Sequence, residues 1–192
     1  MFWGVILPFD FKRLEIPDLV LITPKIFKDE RGFFLESYKE SEFKRYGLDL
    51  EFKQENLSMS KKGVFRGLHY QLAPKSQGKL VRCVKGSILD IVVDIRKNSP
   101  YYAKYVSSEL SAENKHMLWV PPGFAHGFLA LEDDTVVLYK TDEEYSPDDD
   151  KAIAWNDPDI NIKWPIGNPK LSEKDAKAPL LKDTDNNLVY KI

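Results

Sequence analysis

The chain has 192 residues, of which 43% are hydrophobic and 30% are charged, and its formal net charge is -2. This length supports one good hydrophobic core, and no Ser-rich or Gly-rich linker divides the chain, so we predict a single domain over residues 1–192. Acidic and basic residues are interspersed, and the chain therefore lacks the charge pattern of a protein that binds nucleic acid or an anionic membrane. No apolar run is long enough to span a bilayer.

The N-terminus and the cysteine content bear on the cellular compartment. Residues 1–12 form a predicted N-terminal extension, whose apolar start lacks the basic segment of a signal peptide. Cys83 is the single cysteine, so no intrachain disulfide can form, and its apolar neighbours predict a buried side chain. This cysteine content fits the reducing cytoplasm.

Short apolar runs alternate with turn residues along most of the chain. Ser41 and Gly47 are the predicted N-cap and C-terminal glycine of a short helix over residues 42–46. After residue 146 the composition shifts to Asp, Lys, Pro and Asn, which predicts surface loops and short helical turns, with Ser172 capping one helix. Strands are predicted at residues 19–22, 32–38, 52–58, 64–71, 79–85, 87–95, 104–109, 117–120, 125–131 and 136–142.

This succession of strands limits the possible folds. Eight or more strands in about 140 residues, with no crossover helices between them, exclude a parallel α/β sheet. The pattern predicts an all-β protein, an antiparallel sandwich or barrel of the jelly-roll type, with a few short helices at its periphery. A barrel of that size holds one small ligand in its mouth.

The strand predicted at residues 64–71 carries the most informative residues. Period-two alternation places Arg66 on one face and Gly67 and His69 on the other. A glycine inside a strand often marks a place where a ligand or another backbone comes close. His69 is therefore either aimed into a cleared space or buried and hydrogen-bonded, and this segment supports both interpretations equally.

The other histidines do not suggest a metal site. His116 follows a turn and is predicted to be exposed, whereas His126 precedes Gly127 and is predicted to face a pocket. Residues 72–78 contain no Asp or Glu that could join His69, and zinc or iron needs at least three well-placed ligands. We therefore predict a site without metal.

Acid, base and cation are nevertheless present on the central strands. His69 can serve as a base, and Lys79 and Arg66 supply positive charge. Tyr139 carries a phenol, and Asp175 could orient an imidazole. Structural alternatives exist, because Tyr139 could equally be a core aromatic with a satisfied hydroxyl, and Lys79 a solvated lysine at a strand end.

Seven motifs are spaced over nearly the whole chain: DERGFFLE at 29–36, QEN at 54–56, RGLHYQ at 66–71, GKLVR at 78–82, PGFAHGF at 122–128, YKT at 139–141 and SEKD at 172–175. Together, and in this order, they resemble the motifs of the dTDP-4-dehydrorhamnose 3,5-epimerase family. The resemblance implies a cofactor-free cupin jelly roll, usually a homodimer, that converts dTDP-4-dehydro-6-deoxy-D-glucose to dTDP-4-dehydro-L-rhamnose in dTDP-L-rhamnose synthesis.

The same resemblance implies a role for individual residues. His69 matches the family's general base and Asp175 its carboxylate partner. Tyr139 matches the acid on the opposite face of the sugar, and Lys79 matches the lysine near the C4 oxygen. The implied substrate-binding residues are Arg66 and His126 in the same site, Arg31, Glu36, Gln54 and Asn56 around the nucleotide and its diphosphate, and Asp150 and Lys174 at further contacts.

Two positions depart from the family's pattern. Glu144 precedes Tyr145 where many relatives carry two tyrosines, and Asp150 stands where glutamate is common. Either departure bears on the nucleotide end of the site or on the choice of sugar.

Three functions remain open at this level. The first is epimerisation at both C3 and C5. The second is a related reaction on the same fold, either inversion at C3 alone or migration of the ketone. The third is binding of a nucleotide sugar without catalysis, against which the presence of both His69 and Tyr139 argues.

Overall fold

The computed structural model describes residues 7–190. Two short helices and a final 3-10 turn at Leu181–Asp183 accompany the strands, and the helices are α1 at Glu40–Tyr46 and α2 at Glu173–Ala176. The strands are β1 Phe9–Arg13, β2 Val20–Pro24, β3 Phe27–Asp29, β4 Gly32–Phe34, β5 Gln54–Ser60, β6 Phe65–Gln71, β7 Lys79–Lys85, β8 Ser87–Asp94, β9 Tyr105–Ser111, β10 Met117–Val120, β11 Phe124–Ala130, β12 Thr135–Thr141 and β13 Asp150–Ala152.

The strands form two large sheets and one hairpin. One sheet has six strands in the order β1-β2-β10-β7-β12-β5, and the other has five in the order β13-β6-β11-β8-β9. Every pair of neighbouring strands is antiparallel. The predicted all-β antiparallel architecture with few short helices is confirmed. None of the helices between residues 7 and 190 is long and apolar enough to cross a membrane.

The inner faces of the two sheets combine an apolar cluster with a few polar groups. Val81 and Cys83 of β7 and Ile88 and Val92 of β8 belong to one buried apolar cluster that joins both sheets. Because alternate residues share a face, the inward face of β7 also carries Lys79 at its polar end, and that of β8 carries Asp90 between its two apolar residues. Cys83 is buried as predicted, and burial raises the pKa of its thiol to about 11.

Helix α1 begins earlier than predicted. Ser41 is not its N-cap, because Lys39 holds that position and makes no side-chain capping bond. Gly47 ends the helix in the left-handed conformation, as predicted. The helix is held by packing, since the fully buried Phe43 contacts the rings of Phe9 and Phe11.

Three further elements differ from the prediction. The strand expected over residues 32–38 is shortened to β4, which pairs with β3 as an exposed hairpin. Strand β13 forms against β6 where loops were expected. Residues 9–12 of the predicted extension belong to the edge strand β1, whereas residues 1–6 lie outside the described part of the chain. Only the pairing of β13 depends on a strand far away in the sequence, which a local pattern does not reveal.

Candidate active site

A cavity of about 460 Å³ opens at the polar end of the barrel, between the two sheets. It brings together most of the residues predicted for a site, although these residues are spread over more than half of the chain. The predicted residues that line it are Arg66, His69, Lys79, His126, Tyr139, Asp150, Lys174 and Asp175.

Arg66 and His69 face the same cavity because the pairing of β6 with β11 is irregular. His69 lies opposite His126, and Arg66 lies opposite Phe128. Residues 67 and 68 of β6 therefore lie opposite the single residue Gly127 of β11. An inserted residue shifts the alternation of side chains by one position. The prediction that Arg66 and His69 lie on opposite faces is therefore wrong.

Gly67 marks a close approach of backbones. A Cβ atom at this position would lie 2.5 Å from the Cα of Gly127, and Gly67 has a φ of +139°. A larger residue would push β6 and β11 apart. A glycine in a strand can mark the close approach of a ligand or of another backbone, and at Gly67 it marks another backbone.

His69 forms a dyad with a carboxylate from the C-terminal region. Its Nε2 lies 2.6 Å from Oδ1 of Asp175, which is only 4% exposed, whereas the imidazole is 34% exposed. The Ser172 hydroxyl accepts the Asp175 N–H, which confirms the predicted cap of α2. Burial acts to raise the pKa of Asp175, but hydrogen bonds from His69 and Ser172 outweigh it and lower the pKa. Asp175 therefore stays ionised beside an imidazole that reaches the cavity.

Lys79 is a buried cation at the base of the cavity. Its residue is 7% exposed, which rules out the solvated lysine considered above. Burial lowers the pKa of its ammonium to about 8, against the attraction of Asp150, Asp142 and Asp90. No ion pair within 4.0 Å joins Lys79 to a carboxylate of the described residues. Its charge is thus available to a bound ligand.

Tyr139 lies on the other sheet, across the cavity from His69. Its hydroxyl has no hydrogen-bond partner between residues 7 and 190, so the alternative of a satisfied core tyrosine is not observed. Burial raises the pKa of the phenol, and the nearby Arg66 acts in the opposite direction. The phenol therefore keeps its proton at neutral pH.

His126 belongs to a second histidine–carboxylate pair, of which the sequence predicted the histidine but not the carboxylate. Its Nε2 lies 2.8 Å from Oδ2 of Asp90, which is completely buried. Asp90 was not predicted, although a carboxylate in the middle of the apolar strand β8 was the available signal. Arg66 is fixed on the neighbouring wall, because it donates to the Ser60 hydroxyl at 3.0 Å.

Asp150 forms the rim of the cavity with two partners. The Tyr145 hydroxyl donates to its Oδ2 at 2.9 Å, and the Lys174 ammonium pairs with the same oxygen. The bond to Asp150 is the main cause that raises the pKa of the Tyr145 phenol. Tyr145, which was named above only beside Glu144, also lines the cavity.

Four predicted nucleotide contacts do not line the cavity of their own chain. Arg31 is exposed and pairs with Asp29, and Glu36 lies within 3.5 Å of the Lys39 ammonium. The Gln54 and Asn56 side chains bond to each other on β5, with Nε2 of Gln54 donating over 2.8 Å. Their role in substrate binding stays a prediction.

Metal ligands are not clustered in the described residues. No group of three or more His, Cys, Asp or Glu side chains is placed to hold a metal ion between residues 7 and 190. The cavity holds two histidine–carboxylate pairs, of which the His69 imidazole is 34% exposed and the His126 imidazole 8%, together with one buried cation and one protonated phenol. This set can remove a proton beside a carbonyl, stabilise the resulting enolate and return a proton from the other side.

Sequence comparisons identify the relatives of this chain. The family model described as dTDP-4-dehydrorhamnose 3,5-epimerase matches residues 13–183. The dTDP-4-dehydrorhamnose 3,5-epimerase of Shigella flexneri is 52% identical over 174 residues, which cover 90% of this chain and 96% of the relative.

Solved structures give the same result at the level of the fold. A dTDP-6-deoxy-D-glucose-3,5-epimerase from Legionella pneumophila Philadelphia 1, in complex with dTDP-4-keto-L-rhamnose, has a TM-score of 0.92 and 41% identity, covering 96% of this chain and 100% of its own. A 3'-monoepimerase from Streptomyces bikiniensis in complex with dTDP-quinovose has a TM-score of 0.84 and 33% identity, covering 88% and 86%. The fold is the predicted cupin-type jelly roll, and the chain belongs to the dTDP-4-dehydrorhamnose 3,5-epimerase family.

Proposed function

We propose that this protein is an isomerase that epimerises C3 and C5 of dTDP-4-dehydro-6-deoxy-D-glucose and so forms dTDP-4-dehydro-L-rhamnose. The observation that carries the proposal is the opposition of two groups across one cavity. His69, paired with Asp175, lines one wall, and Tyr139 lines the other with no bond to its hydroxyl among the described residues. Inversion of a carbon centre requires removal of a proton on one face and its return on the other, and this arrangement supplies both.

The first step is removal of a proton from a carbon next to the C4 ketone. His69 takes the proton through the nitrogen that faces the cavity, and Asp175 stabilises the imidazolium that forms. Lys79 stabilises the negative charge that develops on the C4 oxygen, as the donors of an oxyanion hole do. A positioned base of this kind contributes about a hundred- to ten-thousand-fold to the rate.

The second step returns a proton from the opposite face. Tyr139 suits this step, because burial raises the pKa of its phenol and keeps the donor protonated at neutral pH. The phenolate that forms lies on the side of the cavity that also holds Lys79. The imidazolium of His69 then loses its proton to solvent and the Tyr139 phenolate takes one up, which restores both groups. Repetition at the second carbon completes the conversion, since C3 and C5 both lie beside the ketone.

Incubation in deuterated water tests this function directly. Purified protein is incubated with dTDP-4-dehydro-6-deoxy-D-glucose, and proton NMR then shows which carbons exchange and which invert. We expect label and inversion at both C3 and C5. Label and inversion at C3 alone would instead assign the reaction of the more distant Streptomyces bikiniensis relative, and tight binding without any exchange would assign a binding protein.

The site residues do not require a cofactor for this reaction. The proposed chemistry consists of proton transfers alone, and each is assigned to a side chain of the cavity. Turnover should therefore persist after exhaustive dialysis against EDTA. Loss of turnover that a divalent ion restores would contradict the cofactor-free proposal.

We also propose that the protein is a homodimer. Phe33 and Phe34 of the β3–β4 hairpin and Leu57 and Met59 of the edge strand β5 are each more than half exposed. Large exposed apolar side chains of this kind indicate a protein contact surface. Arg31 lies in the turn of the same hairpin. A second copy that covers the hairpin would therefore carry this predicted nucleotide contact toward the neighbouring subunit.

Light scattering after size exclusion tests the dimer. We expect twice the chain mass for the wild type and a shift toward one chain mass for Phe34→Ser. Val189→Ser, which also removes an exposed apolar side chain but lies elsewhere, should remain a dimer. A wild-type protein of one chain mass at micromolar concentration would contradict the proposal.

The extent of the domain and the cellular location are part of the same proposal. The family match over residues 13–183 supports one domain for the whole chain. The cytoplasmic location rests on the single buried cysteine and stays a prediction.

A further inference from the structure

The segment between β12 and β13 contributes Tyr145 to the cavity, and its backbone is held by an unusual set of partners. Gln71 donates from Nε2 to the carbonyls of Lys75, at 2.6 Å, and Glu144, at 3.2 Å. Its Oε1 accepts the N–H of Ser146 at 2.9 Å. One side chain therefore bonds the backbone on both sides of Tyr145.

Two other glutamines bond the same segment. Gln77 donates from Nε2 to the carbonyl of Glu143 at 2.8 Å. Gln54 accepts the N–H of Tyr145 with its Oε1 at 2.8 Å. Backbone groups of four consecutive residues, 143–146, are thus bonded by amide side chains from outside the segment.

Gln71 lines the cavity, but its amide is fully engaged by bonds within the protein. The residue is 3% exposed, and both of its N–H donors are used within the protein. A residue that only filled this space would be apolar, because a buried amide is tolerated only where its hydrogen bonds are satisfied. The Gln71 amide meets that condition through loop backbone alone.

Tyr145 is the residue through which this arrangement reaches the cavity. Its hydroxyl donates to Asp150, and Asp150 pairs with Lys174. The backbone of Asp150 is held separately from this segment, because it pairs with the backbone of Gln71 where β13 joins β6 in the sheet. The backbone of Tyr145, by contrast, is held by the bonds made to residues 143–146.

We propose that Gln71 is a positioning residue that holds Tyr145 against the substrate, so that it sets binding of the nucleotide sugar and leaves the chemical step unchanged. This inference rests on the proposed function. The reacting groups His69 and Tyr139 lie on strands β6 and β12, whose pairing does not involve the Gln71 side chain. Loss of the amide should therefore raise KM and leave kcat nearly constant.

The test is Gln71→Met, which keeps the length of the side chain and removes its hydrogen bonds. We expect KM for the nucleotide sugar to rise roughly tenfold, which corresponds to about 1.4 kcal/mol, with kcat within about twofold of the wild type. The control is Asn186→Leu, which also removes a buried amide bonded to backbone at both ends, at Ile95 and Leu188, away from the cavity. The control should lose thermal stability with no change in KM.

A double-mutant cycle with Tyr145→Ala tests the route of the effect. If Gln71 acts by holding Tyr145, then Gln71→Met should add nothing to the KM of Tyr145→Ala. Equal increases in both backgrounds would overturn the inference. So would a Gln71→Met variant whose KM is unchanged while its stability falls, since the amide would then be structural.

Hydrogen exchange in the absence of ligand separates this inference from the proposed function. Amides 145 and 146 should exchange faster in Gln71→Met than in the wild type, while those of β6 stay protected. Unchanged exchange at these amides would overturn the inference whatever the reaction is. Failure of the wild type to turn over the nucleotide sugar would instead overturn the proposed function.

Discussion

The reactive groups on the two walls of the cavity have different hydrogen-bond partners. On the β6 wall, His69 is bonded to the buried and ionised carboxylate of Asp175, which fixes the position of the imidazole at the cavity. On the β12 wall, the Tyr139 hydroxyl makes no bond to the described residues, and burial raises the pKa of the phenol. In the proposed mechanism, His69 on the β6 wall accepts a proton, and Tyr139 on the β12 wall keeps its proton until the enolate has formed. The direction of proton transfer in this mechanism therefore depends on the surroundings of the two groups as well as on their residue types.

The two walls also differ in how they are built. The His69–Asp175 pair joins residues 106 positions apart, through a short helix that docks behind β6. Tyr139 and Lys79 lie on neighbouring strands of one sheet, where β12 pairs with β7 over six residue pairs. The first wall therefore depends on a tertiary contact, and the second depends on strand register. Substitutions on each wall should separate their contributions.

His69→Asn should have the largest effect, because it removes the proton acceptor from the first wall. We expect kcat to fall by at least about a thousandfold, with deuterium exchange lost at both carbons and binding of the nucleotide sugar little changed. His116→Asn, which changes a histidine outside the cavity, is the control. Exchange that persists in the His69 variant would assign the base to another residue.

Lys79→Met should have the next largest effect, a loss of about a hundred- to a thousandfold in kcat/KM, because the enolate loses its cation. The matched control is Lys85→Met, at the exposed end of the same strand. The substitution should lower kcat/KM but raise the free energy of unfolding, since it removes a buried charge. A variant that is both inactive and less stable than the wild type would indicate misfolding.

The same lysine predicts the alkaline behaviour of the wild type. The pKa of Lys79 is lowered to about 8, so kcat/KM should decline above this pH as the ammonium loses its proton. From about pH 8 to the ordinary lysine pKa, the folded protein binds fewer protons than the unfolded chain at this group. Its contribution to stability therefore rises with pH over that range. A kcat/KM that stays constant to pH 10 would contradict a requirement for the charged form.

Tyr139→Phe should uncouple exchange from inversion, because it removes the proton donor of the second wall. His69 still forms the enolate and returns a proton on the original face. We expect deuterium to enter the sugar at close to the wild-type rate while inverted product falls by about a hundredfold. The fold should hold, since the hydroxyl makes no bond to the described residues. NMR of the recovered sugar, scored for label and configuration, decides; unchanged inversion would remove Tyr139 from the mechanism.

Asp175→Asn should have the smallest effect of these substitutions, a fall in kcat of about ten- to a hundredfold, because it weakens support for the imidazolium without removing the base. The pKa of Asp175 is lowered in the fold, so its carboxylate contributes stability that is lost as pH falls through that pKa. The variant should accordingly show a shallower acid dependence of its melting temperature. Identical acid profiles for the two proteins would contradict the ionised carboxylate.

The amino-acid sequence determined the features that depend on near neighbours along the chain. Period-two apolar runs indicated an antiparallel all-β fold, and the Ser172 cap and the burial of Cys83 were correct. The motifs identified the family, and eight of the predicted site residues line one cavity. These features can be predicted from the sequence because strands, helix caps and motifs are each defined by residues a few positions apart.

Tertiary structure alone decided which groups share a face and which are paired. The irregular pairing of β6 with β11 turns Arg66 toward His69, against the alternation of the strand. Asp90 pairs with His126 because β8 and β11 are neighbours within one sheet, whereas Lys79 becomes buried only where the two sheets face each other. Burial and pairing depend on strands far apart in the sequence, and they set the pKa values on which the proposed chemistry rests.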